Sequence, residues 1–522
     1  MERKWWTLIA VSMAIFMLLL DITVVNVALP EIQHQLRSSF SDLQWVVNAY
    51  ALTLAAFLLT AGAVSDLIGR RRVFVAGLVV FTAASAVCGL SDSPLMLNLA
   101  RAVQGTGGAM MFATSLALIA QAFHGKDRGT AFGVFGAVTG AAVAVGPVLG
   151  GVITTGIGWE WIFFVNVPIG IIAVFVTLTQ VADSRDPGAR GVDWAGLVTF
   201  SASLFLLVFA LVQGNEKGWG STEIVSFLIA AAVLLAAFVL VEHLQSRPML
   251  DLSLFRRPAF AGANIVAFAI SGSFFAMFLY LTLYIQDVLG FSPLQAGLRF
   301  LPITLLSFAV APVAGKLTVR MPVRLLLGSG LVLAGAGLLA MTGIDASSHW
   351  TALIPGFVLG GIGIGMINPP LASTAIGVVP PERSGMASGI NSTFRQVGIA
   401  TGIAGLGAVF QHDVTKTTTS RLHSSGHLPE ILAAAHGKLA TLLESGEVTK
   451  IAHALHPATQ SALLHSYKVG FTSAFTTIAI IAAALALVGG VLAYALVRGR
   501  DFVVTTTPGH AEQTPQTDLA AV

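Results

Sequence analysis

The chain has 522 residues, 55% of them hydrophobic and only 10% charged, with a formal net charge of +3. A soluble domain carries about 25% charged residues, so this composition excludes an ordinary globular protein and points to one that crosses a membrane many times. A single cysteine, Cys88, excludes internal disulfides, thiolate metal sites and redox relays, and the basic residues are spread over short loops rather than clustered as a nucleic-acid surface requires.

A span needs roughly 20 apolar residues. In chain order such stretches fall at 7–29, 43–64, 73–90, 95–121, 130–153, 161–180, 194–212, 224–241, 262–285, 297–317, 323–342, 351–376, 387–410 and 470–497, which makes fourteen. The first is too long for a signal-peptide core and has no small-residue cleavage site after it, so it is expected to stay attached. Lysine and arginine set the orientation. With the N-terminus inside, eighteen of them, from Arg3 and Lys4 through Arg70, Arg71 and Arg72 to Arg498 and Arg500, fall on inner segments. The short outer loops hold only Arg37 and Lys217. Both termini are therefore expected in the cytoplasm of a plasma-membrane protein.

Residues 61–71 face residues 314–324 at an offset of 253, each string joining two spans on the inner side. Spans 2 and 3 thus correspond to spans 10 and 11. The expected fold is all-α: an N-terminal six-helix bundle at 7–180, two inserted helices at 194–242, and a C-terminal six-helix bundle at 261–497. Parallel repeats of six spans are the architecture of major facilitator transporters. An outer loop at 411–468 holds seven of the twelve histidines, and 428–443 has the apolar periodicity of a short amphipathic helix at the outer face. The spacing of these histidines matches no structural zinc pattern. Residues 501–522 read as a disordered tail.

An acid in hydrocarbon costs roughly 2.5 kcal/mol or more at the helix centre, so Asp21 in the first span marks a path for protons, ions or substrates. It lies nine residues from Pro30, about 13 Å, and Arg101 lies seven residues from Pro94, about 10 Å, so the two sit at similar depth. If spans 1 and 4 pack together, the pair neutralises itself, and protonating Asp21 frees Arg101 to change partner. A static salt bridge would satisfy the same spacing. Asn26 and Gln104 lie nearby, and Tyr50, Tyr280, Tyr284, Asn368 and Arg395 are further candidates for lining a cavity between the bundles. In span 5, Gly146, Pro147, Gly150 and Gly151 combine close helix approach with a missing hydrogen bond at Pro147, which favours a bend. No phosphate-binding loop, dinucleotide fingerprint or nucleophile elbow is present, so ATP-driven transport and enzyme chemistry are not expected.

With these strings in view, the chain resembles the fourteen-span drug:proton antiporters of the major facilitator superfamily, the EmrB and QacA type, over nearly its whole length. The carriers are 21–30 from Asp21 to Pro30, 62–71 with Asp66, Gly69 and Arg70, 101–107 from Arg101 to Gly107, and 133–151 from Gly133 through Gly146 and Pro147 to Gly150 and Gly151. Residues 159–170 and 384–398 also resemble family segments. The resemblance implies that Asp66, Gly69 and Arg70 form a cytoplasmic latch between halves, that Arg101 takes part in proton coupling, and that Asp21 lies in the translocation path. It implies export of amphipathic, often cationic compounds, driven by the proton gradient with no cofactor. Its partners would be protons, small molecules and the lipid bilayer. An accessory adaptor is compatible with the chain, although no adaptor-binding segment is evident.

The chain departs from the family at three places: Ala142 replaces a usual glycine, Glu160 a usual arginine, and spans 10 and 13 lack the acids that serve dicationic substrates in some members. The same machinery would also suit a dedicated exporter of one endogenous metabolite or lipid-like product. A membrane sensor that never transports is the remaining alternative.

Overall fold

The computed structural model describes residues 2–123, 125–184, 191–245, 248, 250–318, 320–379, 384–435, 439, 443, 448, 452 and 455–498, and those residues form helices with no strand. The long helices are α1 Arg3–Leu36, α2 Phe40–Ile68, α3 Arg70–Gly89, α4 Pro94–Ala122, α5 Gly125–Gly156, α6 Trp161–Gln180, α7 Trp194–Lys217, α8 Thr222–Leu244, α9 Pro258–Val288, α10 Pro293–Leu317, α11 Val323–Ala340, α12 Ile354–Gly377 and α13 Ser384–Ser424. The short α14 is Leu428–Ala434 and α15 is Pro457–Leu496. Among the described residues thirteen helices are long and apolar enough to cross a membrane. Helix α13 is the fourteenth long helix and stands outside that set, because Asn391, Arg395 and Gln396 and a series of glycines dilute its apolar run. The expected fourteen spans are thus thirteen strongly apolar helices and one polar helix sheltered among its neighbours.

Local chemistry sets the helix ends. Arg37 takes a left-handed φ of 51° and ends α1 with its N–H on the Gln33 carbonyl. Two residues later Ser39 and Asp42 cap α2 reciprocally, Asp42 N–H donating to Ser39 Oγ at 3.1 Å and Ser39 N–H to Asp42 Oδ2 at 3.0 Å. Asp193 caps α7 by accepting from Gly196 N–H at 2.7 Å. Proline opens α4, α10 and α15, where its missing N–H leaves no helix bond unmade.

Helices α1 to α6 pack chiefly on one another, α4 lying against α2 and α3, and α5 against α1. Helices α9 to α13 and α15 form a second group, in which α11 and α13 flank α15. The groups meet along two seams, α2 with α13 and α5 with α10. Helices α7 and α8 pair with each other, and α7 lies over the α2–α13 seam. Helix α8 is apolar all round yet leaves Ile229, Val233, Leu240 and Leu244 exposed, the pattern of a surface that faces lipid.

Two helices outrun the membrane. At 1.5 Å per residue, α13 with 41 residues and α15 with 40 are each about 60 Å long, against a hydrocarbon core of about 30 Å. Their free ends and α14 make a small cap in which Leu422, Ile431, Leu443, Val448 and Leu463 are buried. In the segment expected at 428–443 as an amphipathic helix, Ile431, Leu439 and Leu443 are buried in this cap, whereas Leu432 is exposed. His436 and His453 and the tail at 501–522 lie outside the described residues.

Candidate functional site

Asp21 and Arg101 do meet, with α4 pressed into the sides of both α3 and α2. A Cβ on Gly107 would stand 2.5 Å from the Phe81 backbone N, and one on Gly105 would collide with the Tyr50 carbonyl, so only glycine allows this approach. The packing brings the Arg101 guanidinium over the Tyr50 ring, 4.3 Å from its centroid, and sends Nε–H to the Val46 carbonyl at 3.0 Å. Arg101 Nη1 then donates to Asp21 Oδ2 at 2.5 Å and to Gln104 Oε1 at 2.8 Å. Gln104 Nε2 donates to the other carboxylate oxygen, Asp21 Oδ1, at 2.9 Å.

A fourth residue closes the network. Asn166, on α6, points Nδ2 at Asp21 Oδ1 at 3.4 Å and at Ser85 Oγ at 3.1 Å, while Ser85 Oγ–H donates to the Phe163 carbonyl at 2.9 Å. Asp21 is 2% exposed and Arg101 1%, with Gln104 and Asn166 at 0%. Removing both charges from water is costly, and the hydrogen bonds on both Asp21 oxygens and on Arg101 Nε and Nη1 offset that cost. The structure therefore unites Asp21, Arg101 and Gln104 as the sequence suggests, and adds Asn166 and Ser85. Asn166 carried a signal, since it is an amide inside the apolar string 161–180, but nothing in one sequence says which way it faces.

Other candidates lie elsewhere. Asn26 does not join the network; its Nδ2 bonds the Ile22 carbonyl of its own helix at 3.0 Å. Tyr280 and Tyr284, expected as cavity lining, are both fully buried in packing. Tyr280 O–H donates to the Ile403 carbonyl at 2.8 Å beside Phe40 and Phe410, and Tyr284 stacks near Phe471 and Phe475, so these rings fill the interior. Tyr50 does face the gap between the bundles, where it lines a small void with Ile22, Val47, Arg101, Gln396 and Ile399. Asn368 and Arg395 are half-buried on α12 and α13.

The loop between α2 and α3 is a tight corner. Gly69 has φ 120°, which a residue with a side chain adopts only under strain, and a Cβ there would stand 2.7 Å from Asp183 Oδ1. Arg70 Nε–H donates to Asp66 Oδ1 at 3.0 Å, and Arg70 N–H donates to the Ser184 carbonyl at 2.9 Å. Arg71 Nη1 reaches the Val181 carbonyl at 3.2 Å, and Arg72 pairs with Asp183 at 3.3 Å. The bonds from Arg70 N–H, Arg71 and Arg72 tie the loop to the residues that follow α6. The latch implied between halves is here an ion pair inside the loop itself, anchored on the first bundle.

The glycines of α5 make a three-helix contact. A Cβ on Gly146 would collide with Thr23, and one on Gly150 would stand 3.0 Å from the Val24 carbonyl, so this face presses onto α1. Gly151 faces the other way, where a Cβ would stand 2.6 Å from the Pro293 carbonyl of α10. Gly297 of α10 in turn lies on the Pro147 carbonyl. Of Gly133 the structure describes only its place on α5. This seam, with Gln286 Nε2 on the Val27 carbonyl at 2.7 Å and Gln44 Nε2 on the Ile403 carbonyl at 2.9 Å, ties the bundles at the end opposite the Asp66 loop.

The family model of the Major Facilitator Superfamily matches residues 11–403. The chain belongs to that superfamily. A protein of Mycobacterium tuberculosis named multidrug resistance protein Stp is 38% identical over 404 residues, 77% of this chain and 75% of the relative. The tetracenomycin C resistance and export protein of Streptomyces glaucescens is 33% identical over 495 residues, 93% of this chain and 91% of the relative. Among solved structures, a bacterial homologue of the human lysosomal transporter Spinster, inward-facing and unoccupied, superposes with a TM-score of 0.58 at 18% identity, covering 96% of this chain and 99% of that one. At that identity the likeness speaks for the fold. As a member of the superfamily, the chain is a multi-pass membrane transporter of small molecules.

Proposed function

We propose that this transporter exports amphipathic drugs or toxic compounds across the plasma membrane in exchange for protons, by alternating access of the two bundles. The observation that carries the reading is the sealed network of Asp21, Arg101, Gln104 and Asn166 beside the gap. A proton arriving from outside neutralises Asp21, and Arg101 keeps Val46, Gln104 and the Tyr50 ring as partners while losing its counter-ion. Export of multiple drugs is supported by relatives named for multidrug resistance and for resistance to tetracenomycin C and puromycin.

In this reading both termini are cytoplasmic, the Asp66, Gly69 and Arg70 corner is the inner gate, and the α5–α10 seam is the outer gate, closed in this state. No cofactor is needed. Each charge moved down 100 mV releases about 2.3 kcal/mol, which holds a gradient of roughly fiftyfold for a neutral substrate. A second reading, export of one endogenous product, is favoured by the relative named for tetracenomycin C export, which matches over most of both chains.

Substrate flux in proteoliposomes under an imposed pH gradient, across a panel of amphipaths, decides between them. Gradient-driven flux of several compounds, lost in Asp21→Asn, is the expected result. Flux of one compound alone would favour the dedicated exporter, and no flux of any would sink the multidrug reading and point to a dedicated endogenous substrate or a role other than transport.

A further inference from the structure

Arg395 is a charge inside a helix bundle that has no ionic partner among the described residues. It lies eleven residues into α13 from Ser384, about 16 Å along the axis, and so at mid-membrane depth. Two neighbouring faces of α13 are taken by packing. Gly398 and Gly402 press onto α9, where a Cβ on Gly398 would stand 2.6 Å from the Phe268 carbonyl, and Gly389 and Ala400 lie on α2 and its surroundings. Arg395 projects between those faces, one turn from Ile399, and both Ile399 and the adjacent Gln396 line the void shared with Arg101 and Tyr50.

No described residue gives Arg395 a hydrogen bond or an ion pair, and the one contact it makes beyond packing is to the Phe275 ring, 5.9 Å from its centroid. The side chain is half-buried. Asp21 is already neutralised by Arg101 at 2.5 Å, and Asp287, the acid nearest mid-span in the second bundle, is exposed at the far end of α9 beyond the bond from Gln286 to Val27. Among the described residues the gap therefore carries one net positive charge, held by a planar fork that matches an oxyanion in two-point contact, beside an aromatic ring. A mid-membrane arginine left in this way is costly unless something pairs with it, and among the described residues no acid does.

We propose that Arg395 receives a carboxylate head group of the transported molecule, whose aromatic or aliphatic body lies between Phe275 and the apolar lining around Tyr50, Ile22 and Ile399. This rests on the export reading above and replaces the cationic preference implied by the family resemblance with an anionic one. The absence of acids from spans 10 and 13 fits the same charge choice.

The test uses the full chain in lipid nanodiscs and three probes of one shape: anthracene-9-carboxylate, anthracene-9-carboxamide and the 9-anthracenylmethyl ammonium. Binding followed by probe fluorescence should favour the carboxylate by about tenfold or more, the scale of a charge-assisted two-point contact. Arg395→Gln should erase that preference, with thermal unfolding of the same preparation showing that the variant is folded. In the unaltered protein, anthracene-9-carboxylate should also protect Arg395 from phenylglyoxal, read by peptide mass spectrometry, which needs no variant to fold. Equal binding of the three probes, a preference that survives Arg395→Gln, or no protection would each overturn the assignment. Failure of proton-driven flux would instead count against the export reading, since binding is measured without a gradient.

Discussion

Arg101 and Asp21 share a hydrogen bond of 2.5 Å, yet Arg101 is also held by Val46 from behind and Asp21 by Gln104 and Asn166 from the other side. Each partner is fixed without the other. A charge change on one therefore need not collapse the site, which is what a reversible proton carrier requires.

Asp21→Asn should abolish gradient-driven flux and lower stability by about 3 kcal/mol, because it leaves the Arg101 cation buried without a counter-ion. Combining it with Arg101→Gln should recover much of the stability and none of the flux. Thermal unfolding and proteoliposome flux on the same preparations check both, and flux surviving in either variant would refute the carrier role.

Arg101→Lys keeps the charge but replaces the planar fork, whose Nε and Nη1 serve Val46, Asp21 and Gln104, with a single ammonium nitrogen that cannot hold all three in that geometry. Proton-linked export should fail although the protein folds. Ordinary coupling in that variant would count against the network as the coupling device.

Asn166→Ala removes one weak bond to Asp21 and one to Ser85, so its effect should be partial. The loss is on the order of 1 kcal/mol, or about fivefold in turnover. A complete loss of flux would mean that Asn166 does more than orient the carboxylate.

Gly69→Ala forces a side chain into a φ of 120° and against Asp183, displacing the partner of Arg72. Because this corner lies far from the gap, turnover should fall by more than substrate binding changes. Comparing flux rate with probe affinity checks this, and an equal loss of both would remove the corner from gating.

Gly297→Val places two methyl groups on the Pro147 carbonyl and should hold the α5–α10 seam open. Spin labels on cysteines replacing Ile157 and Ser348, with Cys88 buried and unreactive, should report a longer distance than in the unaltered seam. An unchanged distance would show that the seam is not an outer gate.

Much of this was legible before any coordinates. Apolar run length gave the spans because backbone groups in lipid must bond within a helix, which ties span count to sequence directly. The depth match of Asp21 and Arg101 was legible because helical rise is constant. What was hidden depends on rotation about a helix axis. Nothing in the spacing shows that Asn166 turns inward, that Tyr280 and Tyr284 face packing, or that Arg395 falls between two glycine-bearing contacts. Helix α13 was found by sequence although its polar residues weaken the apolar signal, since its polar side chains are sheltered by α2, α9 and α15.

The cap formed by α13, α14 and α15 belongs to one bundle, and the two helices that carry it run without a break from mid-membrane into it. It is thus a rigid mast on the second half of the molecule. Any rocking of that half is magnified at the mast's tip, on the aqueous side, where large reagents can reach. A binding protein that strapped the cap to the neighbouring loops of the first bundle would arrest the cycle from that face of the molecule, without competing for the pathway.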